Sequence, residues 1–265
     1  MSVDVSIDLA QRVVLVTRPR HQATGFMQQI ELHNGKALSF PSIEIQPLEL
    51  SDELVNLLTR INQYDMLIFI SANAVKYCVG LLQELKIGPQ DIKSKIAVIG
   101  KATNAAATAA GFHVAIQPAS GFNSDALLKR SELQAKQIQS KNILILRGCG
   151  GLEQLPKELT QRGAEVAIAE VYKRRIPLHD IQIKRQQLSQ SWAELAISDI
   201  TVTSNESLQN LYDMLEAPGR DEMLSAHLIV PSQRCAQLAK QLGFKSCKIA
   251  QSAADQHMME ALVAV

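Results

Sequence analysis

The chain has 265 residues, 46% hydrophobic and 20% charged, enough to build two ordinary cores and too apolar for a disordered tail. Lysine and arginine number 27 against 26 acidic residues, so the net charge of +1 lacks the basic surplus on which nucleic-acid affinity rests. Cys78, Cys149, Cys235 and Cys247 are scattered without paired spacing and read as reduced thiols, not as a disulfide scaffold or zinc site. The first eleven residues carry Asp4 and Asp8 and lack the basic-then-apolar pattern of a signal peptide. No apolar run approaches the roughly 20 residues that cross a bilayer. The expectation is a soluble, cytoplasmic protein that binds neither nucleic acid nor membrane.

The apolar run Val13–Val16 predicts a buried strand, followed by a helix over 21–33 that stops at Gly35. A second run at 66–70 leads into a helix over 73–85, and a third at 96–99 into a helical stretch closed by Gly111. The runs at 143–146, 200–203 and 228–230 are followed by helices over 152–162, 205–215 and 233–242, two of them closed by Gly163 and Gly243. Continuous, β-branched apolar strands that alternate with helices predict an α/β protein with parallel sheets covered on both faces.

Landmarks repeat in order. Arg18 and Arg147 lie 129 residues apart, Gly35 and Gly163 128, Ser71 and Ser204 133, Gly111 and Gly243 132, and Ile116 and Ile249 133. The chain therefore reads as two copies of one α/β unit. After the first helix of each copy comes an extended, proline-marked stretch with Pro41, Pro47 and Pro177, which suits a connector better than a sheet centre. With both as linkers the chain crosses twice: residues 1–38 plus 177–265 form one domain, 39–48 and 167–176 the connector strands, and 49–166 the other domain. A simple tandem division near Ser140 is the alternative, and the pattern leaves both open.

In a parallel sheet, ligands bind beyond the carboxyl ends of the strands. The residues there are Arg18, Ser71 with Ala72 and Asn73, Gly100 with Lys101 and Thr103, Arg147, Ser204 with Asn205, and Ser232. They are small and polar or basic, and none is acidic, which suits anions at helix N-termini. Each serine alone is explained by ordinary N-capping; Arg18, Lys101 and Arg147 are not capping choices, although surface salt-bridging explains an isolated arginine about as well. Gly148-Cys149-Gly150-Gly151 lacks a glycine where Glu153 stands, so it does not complete a dinucleotide fingerprint. No phosphate loop or nucleophile elbow is present, and the six histidines lack ligand spacing, His257 and Glu260 reading as a solvated pair. No metal is expected. Tyr172, one of four tyrosines, stands in the second proposed connector beside Lys173, Arg174 and Arg175, where its phenol could donate a hydrogen bond into a cleft.

The segments Val-Leu-Val-Thr-Arg-Pro at 14–19, Phe-Ile-Ser-Ala-Asn-Ala-Val at 69–75, Ala-Val-Ile-Gly-Lys-Ala-Thr at 97–103, Leu-Arg-Gly at 146–148, Glu-Val-Tyr at 170–172, Thr-Ser-Asn at 203–205 and Pro-Ser at 231–232 together resemble the uroporphyrinogen-III synthase family. The chain departs from the family pattern at Val230-Pro231-Ser232-Gln233, where the family often has Gly-Pro followed by threonines. The resemblance implies two α/β domains joined by a two-stranded connector, with a cleft between them. It also implies a cofactor-free lyase that closes the linear tetrapyrrole hydroxymethylbilane to uroporphyrinogen III, with loss of water and inversion of ring D. By the same resemblance Tyr172 is the candidate catalytic residue, and the strand-end set above would bind the polycarboxylate substrate. Nothing in the sequence demands more than a monomer. A two-domain binding protein for an anionic small molecule, without turnover, is the competing expectation.

Overall fold

The computed structural model describes residues 8–177, 181–217 and 219–264. Its strands are β1 (Val13–Val16), β2 (Lys36–Ser39), β3 (Glu44–Pro47), β4 (Met66–Phe69), β5 (Lys95–Val98), β6 (Val114–Ile116), β7 (Asn142–Gly148), β8 (Glu165–Arg175), β9 (Asp199–Thr201), β10 (His227–Val230) and β11 (Ser246–Ile249). The helices are α1 (Arg20–Leu32), α2 (Asp52–Thr59), α3 (Ala72–Glu84), α4 (Lys101–Ala109), α5 (Ser124–Leu128), α6 (Ala135–Ile138), α7 (Gln154–Gln161), α8 (Ile181–Ser191), α9 (Asn205–Met214), α10 (Gly219–Met223), α11 (Gln233–Leu242) and α12 (Asp255–Val263).

The chain divides into two compact units, one made of Met1–Glu44 with Arg175–Val265 and the other of Ile45–Arg174. The first holds a five-stranded sheet in the order β11-β10-β9-β1-β2, the second a six-stranded sheet in the order β3-β8-β7-β4-β5-β6. With β7 and β8 matched to β1 and β2, and β4, β5 and β6 matched to β9, β10 and β11, the two orders are the same, and β3 is added at the edge of the second. Every strand pair registered between these elements is parallel. Each unit thus combines the front of one sequence copy with the back of the other, and the second is a circular permutation of the first.

Alternation along β1 shows why its run carries no polar residue: Val13 and Leu15 enter the core under α9 and α11, while Val14 and Val16 enter the one under α1 and α12. In the second unit, Leu67 and Phe69 pack with α2, α3 and α4, whereas Met66 and Ile68 pack with α5, α6 and α7. The helix after β1 and the helix after β9 therefore lie on opposite faces, as do those after β7 and β4. Where neighbouring strands send their helices to opposite faces, a crevice opens at the strand carboxyl ends.

The stretches expected as connectors hold the two points at which the chain passes between the units, Glu44 to Ile45 and Arg174 to Arg175. β3 and β8 are extended and adjacent, but they belong to the second sheet, and β8 is also paired with β7 from Asn142↔Glu165 to Gly148↔Tyr172. Pro177, just beyond its end, gave β8 the look of a linker. Leu178 and His179 lie outside the described residues, as do residues 1–7 of the N-terminal segment. Among the described residues no helix is long and apolar enough to cross a membrane, and no three potential metal ligands gather. All four cysteines are free, and burial pushes each thiol up, that of Cys235 to about 11.

Candidate functional site

Four helices begin with the same backbone turn. Ser71 (φ −160°, ψ 161°), Ser204 (−161°, 162°) and Ser232 (−164°, 158°) are extended N-caps, and Gly100 (−176°, −180°) has nearly the same geometry without a side chain. The serine hydroxyls accept from the amides of Ala74, Ser207 and Cys235 at 3.0, 3.0 and 3.3 Å. Capping is therefore a role each performs, and Ala72, Asn205 and Lys101 open the first turns, whose N–H groups have no acceptor within the helix.

In the second unit the crevice lies between the ends of β4 and β7. Tyr172 reaches it from β8, where one extra residue, Val171, shifts the register so that Arg147 faces Glu170 and Gly148 faces Tyr172. The phenol is only 2% exposed, and its oxygen sits 3.1 Å from Ser71 Oγ. Gly148 is required by this approach, because a Cβ there would stand 2.5 Å from Tyr172 Cζ. The Tyr77 ring packs against Tyr172 at 5.7 Å, and the Tyr77 hydroxyl donates to Ile45 O at 2.7 Å. Tyr172 is thus a strand residue held among packed groups, not a tyrosine in a free linker.

The corresponding crevice of the first unit, between β1 and β9, is closed by a hydroxyl network. Thr17 Oγ1 donates to Thr201 O at 2.8 Å and lies 2.9 Å from Ser207 Oγ, which is 2.7 Å from Ser42 Oγ. Thr17, Ser42 and Ser207 are fully or almost fully buried. The two copies keep one topology and differ at this point: one presents a phenol, the other fills the space.

The strand-end arginines differ from expectation. Arg18 is buried, ion-paired with Asp255, donates to Ala253 O at 3.0 Å and stacks on Phe26 at 4.6 Å. Arg147 is also buried and bonds Glu153 Oε1 at 2.7 Å, Glu170 Oε1 at 3.4 Å and Leu152 O at 3.2 Å. Glu153 comes from the loop that follows Arg147, six residues on, whereas the fold brings in Glu170 from 23 residues away and Asp255 from 237. Thr103 is also corrected: it is 3% exposed and faces the core side of α4. Lys101 and Ser232 are exposed, and Ser71, Ala72, Asn73, Ser204 and Asn205 are half-buried. His257 is paired through Nδ1 with Ser252 Oγ at 2.7 Å, while Glu260 takes Gln256, so the expected His257–Glu260 pair is not formed.

Sequence reasoning missed Tyr77, Glu170 and Asp255, whose parts depend on tertiary contacts, and the cavity around Phe122. That cavity, about 340 Å³, is lined in part by Ile70, Ile99, Ile145, Arg147 and Leu152. A second, of about 710 Å³, lies between α2 and the β3–β8 edge and is more polar, with Glu49, Glu53, Glu170 and Lys173 in its wall.

A family model described as uroporphyrinogen-III synthase HemD matches residues 25–260. The uroporphyrinogen-III synthase of Escherichia coli K12 is 31% identical over 254 residues, covering 94% of this chain and 99% of that protein. That of Salmonella typhimurium LT2 is 32% identical over 252 residues, with coverage of 94% and 99%. Among solved structures, a mutant uroporphyrinogen III synthase from the extreme thermophile Thermus thermophilus aligns with a TM-score of 0.61 at 14% identity, covering 95% and 97% of the two chains. The enzyme from Helicobacter pylori 26695 aligns at 0.58 and 18%, covering 96% and 99%. At these identities the structural likeness bears on fold alone.

Proposed function

Because this chain belongs to the uroporphyrinogen-III synthase family, we propose that it closes hydroxymethylbilane to uroporphyrinogen III, with loss of one water and inversion of ring D. The observation within the chain that best supports this reading is the Tyr172 hydroxyl, set against Ser71 at the crevice between β4 and β7. The reaction begins when a pyrrole nitrogen pushes out the terminal hydroxyl, leaving an electrophilic azafulvene. Free in water, that species closes at the nearest open position and gives the type I isomer. The type III product requires attack by the substituted carbon of ring D, a spirocyclic intermediate, its fragmentation and a second closure.

Selectivity of this kind rests on orientation and on placed charge. Tyr172 serves as the proton donor to the departing hydroxyl, an effect typically worth about 10²–10⁴-fold. Ser71, fixed by the Ala74 amide, holds the phenol in place. First-turn amides at Ala72 and Asn73, at Gly100 and Lys101, at Ser204 and Asn205, and at Ser232 take substrate carboxylates, with the Lys101 ammonium adding charge. Arg18 and Arg147, already engaged by protein acids, act as positioning residues for the loops they tie down.

The test is an isomer count. Hydroxymethylbilane made immediately beforehand is incubated with and without the protein, and the products are oxidised and separated. The expected result is predominantly type III with protein and type I in buffer. The same type I product in both tubes would reject the reading and leave an anion-binding protein without turnover.

A further inference from the structure

The 340 Å³ cavity in the second unit has features that core packing alone does not account for. It opens at the carboxyl ends of β4, β5 and β7, on the face of the sheet opposite the Tyr172 ring, with Ile70, Ile99 and Ile145 as its floor. Two apolar side chains in its wall are left in water: Leu152 is 81% exposed and Phe122 40%. Single exposed apolar residues are ordinary, but two on one cavity mark a binding surface. Phe122 also has φ +37°, a left-handed backbone that a phenylalanine adopts only when its surroundings impose it. The position is also closely bordered: a Cβ at Gly100 would meet Phe122 Cβ at 3.0 Å, and the Lys101 ammonium lies 5.3 Å from the ring centroid.

Polar groups of matching sign border this surface. No described carboxylate pairs with Lys101. Arg147, more than nine-tenths buried, lines the cavity and keeps its Nε without an acceptor among the described residues. An apolar slot with an aromatic wall and cationic N–H donors suits a flat, electron-rich ring that bears carboxylate arms. Its volume is near the lower end for ligand pockets, about 300–1,000 Å³, so it suits one such ring and not a chain of four.

We infer that this cavity is a subsite for a single pyrrole ring of the substrate, walled by Phe122 and Leu152, with Lys101 meeting the ring's acidic arms and Arg147, tied to Glu153 and Glu170, holding the wall in place. The inference rests on the tetrapyrrole reading above and adds which residues grip one ring.

A monopyrrole carrying acetate and propionate arms is the probe, used as an inhibitor of cyclisation by the full chain. The variants are Leu152→Ser, whose side chain is already in water, and Phe122→Gly, which suits the left-handed backbone and removes the ring. The expected result is competitive inhibition of wild type, at least about fivefold weaker in each variant. KM for hydroxymethylbilane should rise by a similar factor, with a smaller change in kcat, and thermal midpoints should not fall. A purely structural Phe122 would instead lower the midpoint of Phe122→Gly and leave inhibition unchanged. If wild type makes type III product while inhibition and KM are unaltered in both variants, the subsite is wrong and the cyclase reading survives. If wild type makes no type III product, the cyclase reading fails and the subsite falls with it.

Discussion

At the scale of single residues, the crevice of the second unit depends on an absent side chain as much as on a present one. Gly148 leaves room for the Tyr172 ring, and any Cβ would come within 2.5 Å of it. Gly148→Ala should therefore push the phenol off Ser71 without altering a reacting group. Its expected signature is a fall in type III formation of tenfold or more, on the order of one lost orienting contact, with far-ultraviolet dichroism unchanged. Wild-type activity in this variant would show that the phenol's placement is not critical. Arg18 and Arg147 carry the opposite lesson. Arginine after a buried strand suggests a free cation, yet both guanidiniums are drawn inward and matched by Asp255, Glu153 and Glu170.

At the scale of elements, the amino ends of the sheets show how the same strand pairs are fastened by different charges. In the first unit, Asp199 opens β9 with 0% of its side chain exposed and receives Arg12 Nε at 2.8 Å, with Ser198 Oγ at 2.7 Å. Arg12 also donates to Leu262 O at 2.7 Å, tying α12 to the sheet. Asp199 is fully buried, while Arg12 is one-fifth exposed and keeps Leu262 O, so Asp199→Ala should cost about 2 kcal/mol in urea unfolding, the worth of charge-assisted hydrogen bonds. A loss below about 1 kcal/mol would mean the pair behaves as if exposed. In the second unit, Asp65 precedes β4 and accepts from Lys141 Nζ at 2.8 Å and from Asn142 N at 2.9 Å. The Lys141 hydrogen bond, followed by that of Asn142, holds its carboxyl below the usual range. A lowered native value means the stabilisation is complete above the unfolded value of about 4 and is lost as pH falls through the native one. Asp65→Asn should thus lower the unfolding free energy measured in urea at pH 7, by less than about 1 kcal/mol for so exposed a pair, and the gap should close in acid. A gap that persists in acid would refute the ionic origin.

The apolar strands β1, β4, β7 and β10 were legible because both sheet faces are covered, which leaves no polar alternation to confuse the run. β2, β8 and β11 were not, since they lie toward sheet edges and keep polar side chains in water. The capping serines could be placed from local sequence alone, as could the strand-end position of Arg147. Asp255 and Glu170 beside the arginines, the Tyr77–Tyr172 stack and the strained Phe122 arise from contacts across the fold, which spacing does not encode.

At the scale of the whole molecule, duplication explains the unusual chain path. Each unit recovers the strand order 2-1-3-4-5 only by borrowing from both copies, which is why the chain leaves the first unit after Glu44 and returns at Arg175. Duplication gives each unit its own helix N-termini with the same extended cap, at Ser71 and Gly100 in one and at Ser204 and Ser232 in the other. Divergence then gives the two switch-point crevices different contents, Thr17, Ser42 and Ser207 in one and Tyr172 with Ser71 in the other. The central claim is that the phenol-bearing crevice carries the chemistry. Its most direct measurement is the single-turnover rate and isomer ratio of Tyr172→Phe at saturating enzyme. A drop of about 10²-fold with a rising type I fraction is predicted, with stability lowered by no more than about 1 kcal/mol for the one hydrogen bond lost. A wild-type rate and a wild-type isomer ratio in that variant would contradict the claim.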